Sequence, residues 1–420
     1  LGNFWLGVWI APHKLYTTAM LACYDAAQRL LLYRHLWQTP VGQAWLTLLR
    51  SLVQGDPESQ CFAVYSQWLV SLAVAEGVQG SWSAWLWQAV AQDDNPFARA
   101  ASHGEIPPGL AEMAAHDLAL LHGCAQSWPE LEAALRQAGL PTFSQPEGET
   151  PAWAATVQSL AHYYRCRGVG FWGRYRVARW RHGQMVGIPH PDPVCLEDLC
   201  GWERQKNLLL QNTQALVQGS PALHVLLYGA RGTGKSSLVK AVAQVFYAQG
   251  LRLLEVSRDD LLALPEILLL LAREPHPFIL FVDDLSFGEE DSLFRPLKGL
   301  LEGDAAGSPA HVRVYATSNR RHLIRESFGD RPDPEEIHPW DTVQEKLALA
   351  DRFGLTLTFS PLSQADYLAT VTHLAARQGI CREDLLPLAL QWAQQHNGFS
   401  GRTAQQVITA IQAGLIPTKS

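Results

Sequence analysis

The chain reads as an α/β protein: a parallel sheet flanked by helices, with a mainly helical region before it and a helical lid after it. Three observations predict this class. Between about residues 203 and 360, short apolar runs rich in strand formers alternate with segments of helical periodicity, which implies a parallel sheet covered on both faces. One of those strands runs straight into a glycine-rich loop and then a helix. Before about residue 165 and after Pro361, apolar residues recur at helical spacing instead.

Bulk properties narrow the function. At 420 residues the chain is long enough for two or three domains, and its 47% apolar content is ordinary for a globular protein. A net charge of −7 argues against a protein built to coat nucleic acid. Seven scattered cysteines form no C-x-x-C pair, so neither a zinc site nor a disulfide framework is indicated, and this usage suits a reducing cytoplasm. No apolar run reaches the length of a membrane span. The apolar start, broken by Asn3, His13 and Lys14, lacks the basic region of a secretory signal. A first residue of leucine fits either an alternative start codon or a truncated sequence.

Residues 1–182 are expected to form a helical N-terminal domain. Residues 17–37 carry Leu21, Ala26, Leu30 and Tyr33 at helix-like spacing. Asp56-Pro57-Glu58 has the form of a helix start: a capping aspartate, proline at the first helical position and an acidic first turn. Ser127 is placed to cap a helix over 128–137 that Gly139 closes, and a last helix is expected over 152–164. Twelve of the 15 tryptophans precede residue 184, and core packing explains them more simply than an aromatic ligand cage, since indoles bury large areas. With no catalytic constellation, this region suits an adaptor that binds an unknown protein client.

Residues 165–181 interleave basic and aromatic side chains. Arginines on phosphates and rings on bases would suit single-stranded nucleic acid. The acidic total favours a structural reading, an exposed strand or hairpin with Arg174, Arg176 and Arg181 solvated and Tyr175, Val177 and Trp180 buried. Residues 183–194, with three prolines and two glycines, mark a boundary. The α/β domain then spans 183–360, with strands expected at 224–228, 251–256, 278–284, 312–317 and 355–359. Helices are expected at 203–216, 237–247 and 265–272, with Leu238, Val242, Val245 and Phe246 on one face of the second. Residues 361–420 form the helical lid.

Gly229-Ala230-Arg231-Gly232-Thr233-Gly234-Lys235-Ser236 has the spacing G-x-x-x-x-G-K-S of a phosphate-binding loop, with Ser237 opening the helix behind it. Glycines let backbone N–H groups close around phosphate oxygens, and the helix N-terminus adds positive potential. Lys235 is placed for the β and γ phosphates and the Ser236 hydroxyl for Mg2+. The apolar strand at 278–282 ends in Asp283, suited to hold Mg2+ through water, and Asp284, suited to orient or deprotonate an attacking water. Thr317-Ser318-Asn319 ends the next strand and puts a polar group near the γ-phosphate. His338 and Asp341 sit on a proline-containing loop, where a structural role is the plainer account.

Taken in order, these motifs resemble an ATPase of the AAA+ superfamily. The continuous text at 226–240 (LLYGARGTGKSSLVK), 278–287 (FILFVDDLSF), 315–323 (YATSNRRHL) and 345–355 (EKLALADRFGL) is similar to one poorly characterised bacterial branch of predicted AAA+ ATPases. The resemblance covers residues from about 165 to the end. It implies ATP and Mg2+ as ligands, Gly229, Gly234, Lys235 and Ser236 as the Walker A loop, Asp283 and Asp284 as Walker B, and Asn319 as sensor 1. It also implies Arg352 as an arginine finger acting in trans within a homo-oligomer, and Arg402 as the sensor 2 arginine of the lid. The adenine would lie near Leu199 and Gly201. Asp284 departs from the usual glutamate, and its side chain, one methylene shorter, implies slower hydrolysis.

Three functions fit this reading: an ATP-hydrolysing machine acting on a client, a nucleotide-gated binding module with negligible hydrolysis, and a nucleic-acid loader using 165–181. Turnover separates the first two, and salt-dependent binding of single-stranded nucleic acid would mark the third.

Overall fold

The computed structural model of the protein describes residues 18–75, 78, 80–126, 128–137, 139–142, 156–286, 293–302, 309–319, 349–396 and 398–416. The chain divides into two compact units, Leu1–Arg174 and Tyr175–Ser420. The boundary falls eight residues before the expected one at 182, because residues 177–181 form a strand of the second unit's sheet. The expected Ser127 cap and the pair His338 and Asp341 lie outside the described residues. Among the described residues no helix is long and apolar enough to cross a membrane.

The first unit holds nine helices among its described residues: α1 (Thr18–Arg29), α2 (Pro40–Gln54), α3 (Glu58–Val74), α4 (Trp82–Ala91), α5 (Pro96–His103), α6 (Pro108–Gln126), α7 (Trp128–Gln137), α8 (Val157–Arg167) and α9 (Gly170–Arg174). Side-chain oxygens of Thr39, Ser81, Asn95 and Thr156 accept the N–H three residues on, which sets the starts of α2, α4, α5 and α8. Thr156 thus starts α8 five residues later than the pattern suggested. Trp45, Trp68 and Trp82 are at most 1% exposed and pack on one another, with Trp45 and Trp82 stacked at 4.2 Å between centroids. Filling space with each other, they are core.

Two local expectations fail for nameable reasons. The helix expected over 17–37 stops at Arg29 because Asp117 of α6, fully buried, captures the backbone beyond it. Its carboxylate accepts the N–H groups of Leu31, Leu32 and Tyr33 at 2.7–3.1 Å. Asp56 makes no cap: its carboxylate accepts from the Ser51 hydroxyl and the Gln60 amide, and α3 begins at Glu58 without a side-chain cap.

The second unit is organised by one seven-stranded sheet: β1 (Val177–Arg181), β2 (Gln184–Gly187), β3 (Val225–Gly229), β4 (Arg252–Val256), β5 (Phe278–Val282), β6 (Val312–Ser318) and β7 (Leu355–Phe359). The order across it is β2-β1-β4-β5-β6-β3-β7, parallel everywhere except the β1–β2 hairpin. In β1 Val177 and Trp180 are buried and Arg181 is exposed, and Arg174 and Arg176 before it are exposed too, as the structural reading of that segment requires, but Tyr175, expected to be buried, is only half-buried. Both faces of β5 are buried, which is why its text is apolar throughout. Helices α10 (Glu203–Val217) and α11 (Lys235–Phe246) pack Leu209, Leu216, Leu238, Val242 and Phe246 against the face that carries Val225, Leu227, Ile279 and Phe281. Val245, expected with them, is 48% exposed. Thr213 and Asn212 of α10 hydrogen-bond the Tyr315 hydroxyl at 2.7 and 3.0 Å, and burial pushes that phenol up to about 12.

Helices α12 (Leu264–Leu271) and α13 (Phe294–Glu302) lie between strands in the sequence. The lid consists of α14 (Gln364–Arg377), α15 (Leu385–Gln395) and α16 (Gly401–Gln412), with its own core of Tyr367, Val371, Ala389, Val407 and Ile408.

The Asp117 anchor gives the first prediction. Asp117→Ala takes the acceptor from one buried and two part-buried backbone donors, at about 1–3 kcal/mol for a donor left unsatisfied, so the first unit should lose on the order of 2–4 kcal/mol. Urea unfolding of the full chain followed by tryptophan fluorescence measures this. A loss below about 1 kcal/mol would mean that those amides find other acceptors.

Candidate functional site

Sheet order alone brings the motifs together. β6 separates β3 from β5, so the glycine loop after β3, the acids after β5 and Asn319 after β6 leave adjacent carboxyl ends. They open into one cavity of about 920 Å³. Arg231, Gly232, Thr233, Gly234, Lys235, Ser236 and Ser237 line it, as do Asp283, Asp284, Asn319 and, from the lid, Arg402. Gly229 and Ala230 lie behind the loop, where β7 is close: Ala230 N–H donates to the Phe359 carbonyl at 3.0 Å. Leu199 reaches the cavity, whereas Gly201 is not part of its wall.

The polar groups satisfy one another. Lys235, 6% exposed, donates to the Gly229 and Ala230 carbonyls at 2.9 and 2.7 Å and to Asn319 Oδ1 at 3.4 Å. Burial pushes its ammonium below the usual lysine value, Asp284 and Asp283 pull it back up, and Arg231 pushes it further down. Asp283 Oδ1 accepts from the Ser236 hydroxyl at 2.6 Å and from the Thr317 hydroxyl at 2.5 Å. Asp284 accepts from Asn319 Nδ2 at 2.5 Å, and its own N–H donates to Thr317 Oγ1 at 2.9 Å. Asp284 has φ 53, a left-handed conformation uncommon for a residue with a side chain.

The lid closes over the loop. Gly401 N–H donates to the Gly232 carbonyl at 2.9 Å, and the Ser400 hydroxyl caps α16 by accepting the Thr403 N–H. Arg402 therefore sits in the first turn of a helix, where the dipole disfavours a cation and an anionic partner would offset the cost. At the other end, His373 Nε2 meets the Glu197 carbonyl at 2.8 Å and Arg377 pairs with Asp198.

Arg352 stands apart. Among the described residues its Nε pairs with Glu302 of α13, and it does not line its own chain's cavity; Glu345 lies outside the described residues. Sequence reasoning missed Glu302, and it missed the part played by Thr317. It also missed Trp202, Thr370 and Gln378, which line the cavity's far end. None of these carries a spacing signal; only the three-dimensional sheet brings them in.

Residues 173–415 match the family described as "Protein of unknown function (DUF815)". The chain belongs to this family. Within it, the order of phosphate loop, paired acids, polar strand end and helical lid is that of the AAA+ superfamily, and this chain has that P-loop nucleotide-binding fold. One curated relative is the proteasome-activating nucleotidase 1 of Haloferax volcanii, 26% identical over 166 residues, which are 34% of this chain and 41% of that protein. Among solved structures, the Thermotoga maritima RuvB Holliday junction branch migration motor aligns with TM-score 0.37 and 18% identity, over 53% of this chain and 65% of that one. The Aeropyrum pernix ORC1 protein in complex with DNA aligns with TM-score 0.41 and 15% identity, over 55% and 64%. The chain thus spans less than two thirds of each of these relatives.

Gly229 supports a sharp test of the loop's footing. It has φ 142, and a Cβ built there would lie 1.9 Å from the Phe359 carbonyl oxygen. Gly229→Ala adds about 1–3 kcal/mol of backbone strain before the clash is counted, so the second unit's unfolding midpoint should fall measurably. Calorimetry showing no change would mean that β3 and β7 do not approach this closely.

Proposed function

We propose that the protein is a Mg2+-dependent ATPase of AAA+ type, acting as a homo-oligomer in the cytoplasm on an unknown protein client engaged by its helical unit. The observation that carries this is the convergence of Lys235, Asp283, Asp284, Asn319 and Arg402 on one cavity walled by the glycine loop. The donor set suits Mg2+: a hydroxyl and a carboxylate, both hard oxygens, lie 2.6 Å apart at Ser236 and Asp283, and such an ion keeps most of its waters. When bound, Mg2+ would neutralise charge on the phosphate oxygens.

The chain's own residues supply the remaining roles. Loop N–H groups and Lys235 cradle the phosphates, Asp284 orients or deprotonates the attacking water, and Asn319 holds that water against the terminal phosphate. Arg402 carries the state of the nucleotide to the lid. Arg352, leaving Glu302, completes the site of a neighbouring subunit. Nucleic acid is the weaker reading, because Trp172 and Trp180 of the basic segment are buried and unavailable for base stacking.

The test separates binding from turnover. Lys235→Ala should weaken ATP binding about 10- to 100-fold in calorimetry, since a charge-assisted partner is lost. Asp284→Asn should bind normally and turn over about 10²- to 10⁴-fold more slowly. Full-speed Asp284→Asn would remove it as the base, and a parent protein without turnover would leave a nucleotide-gated binding module.

Arg352→Ala should bind ATP and hydrolyse it about 10³-fold or more slowly. Mixing it with Lys235→Ala should restore some activity, because one subunit then supplies the finger and the other the loop. No recovery, with activity independent of protein concentration, would exclude action in trans.

A further inference from the structure

The two acids after β5 are held by one side chain. The Thr317 hydroxyl donates to Asp283 Oδ1 at 2.5 Å and accepts the Asp284 N–H at 2.9 Å. Thr317 is 2% exposed and lines the cavity. Its carbonyl accepts the Leu285 N–H at 2.7 Å, so β6 grips three consecutive residues of the opposing turn.

The hydrogen-bond directions follow from chemistry. A hydroxyl has one proton to give, an ionised carboxylate can only accept, and a backbone N–H can only donate. The proton therefore goes to Asp283 and a lone pair receives Asp284. Asp284 needs that hold, because its left-handed backbone is sparsely populated unless neighbours over-determine it. From this conformation its carboxylate meets Asn319. Asp283 Oδ1 shares its acceptor capacity between Thr317 and Ser236. If the Ser236 hydroxyl turned to a metal ion, Thr317 would be the hydroxyl still holding Asp283.

We infer that Thr317 is a positioning residue of the site, aiming the Asp283 carboxylate at the cation position and pinning Asp284 where it addresses water. This rests on the ATPase reading above. A merely structural threonine would stabilise β6 and leave the demand for metal unchanged.

The experiment uses the full chain with Thr317→Val, which removes the hydroxyl at nearly constant shape, and Thr317→Ser, which keeps it. Binding of a non-hydrolysable ATP analogue is measured while Mg2+ is titrated, and turnover is measured separately. Thr317→Val should need about 10- to 100-fold more Mg2+ for half-maximal binding and lose turnover by a similar factor, the usual cost of removing a group that orients a metal ligand. In EDTA its analogue affinity should equal the parent's, and Thr317→Ser should stay within about threefold of the parent throughout. Parent-like Mg2+ dependence in Thr317→Val, or equal losses for serine and valine, overturns the inference. If valine prevents folding, Thr317→Ala carries the same expectation. A parent that binds the Mg2+–analogue complex without hydrolysing ATP refutes the ATPase reading alone, since the Mg2+ titration still decides Thr317.

Discussion

The second unit depends on β3 lying between β6 and β7 with almost no space to spare. Its last residue, Gly229, presses against the Phe359 carbonyl, and Ala230 hydrogen-bonds that same oxygen. This approach fixes where the chain leaves the sheet, and so where the loop turns back to begin α11. Because β6 is the other neighbour of β3, its carboxyl end delivers Thr317 and Asn319 beside the loop. β5, one strand further, then places Asp283 and Asp284 within reach of both. Five chemical groups from three strand ends are thus positioned by parallel pairing, before any of their own hydrogen bonds is counted.

Those hydrogen bonds resolve an electrostatic problem. An ammonium as buried as Lys235 is costly unless charges and acceptors answer it. Two carbonyls, Asn319 Oδ1 and the nearby Asp283 and Asp284 do so. Each partner is also one that a phosphate-bearing ligand would have to replace or share. The site is poised because its polar groups are satisfied locally by bonds that exchange at small net cost.

Legibility in the sequence followed the range of the interactions. The phosphate loop and the acids were readable because their signals lie within about ten residues and the spacing carries the chemistry. So was β5, whose burial on both faces leaves an uninterrupted apolar run. The end of α1 was not readable, because the group that stops it, Asp117, lies 86 residues from Leu31. Asp56 looked like a cap by local spacing, but Ser51 and Gln60 take its carboxylate. The expected boundary at 182 cut between β1 and β2: the basic, aromatic text of β1 obscures that Val177 and Ala178 pair with Leu253 and Leu254 of β4. Thr317 was visible as a polar strand end, yet its double hydrogen bond exists only once β5 and β6 are paired.

Arg352 lies outside the cavity of its own chain. Its partner Glu302 is 39% exposed, and ion pairs of that kind contribute about 0.2–1 kcal/mol. Among the described residues its Nη1 is buried without a hydrogen-bond partner, so the guanidinium is only partly satisfied where it lies. A planar fork of donors in that condition gains most from an acceptor offering several oxygens at once, as a phosphoryl group does. The hold of Glu302 is weak enough to be outcompeted and strong enough to keep the side chain ordered. A finger acting in trans would need both: a defined resting position, and a departure that costs less than the contact it makes on arrival.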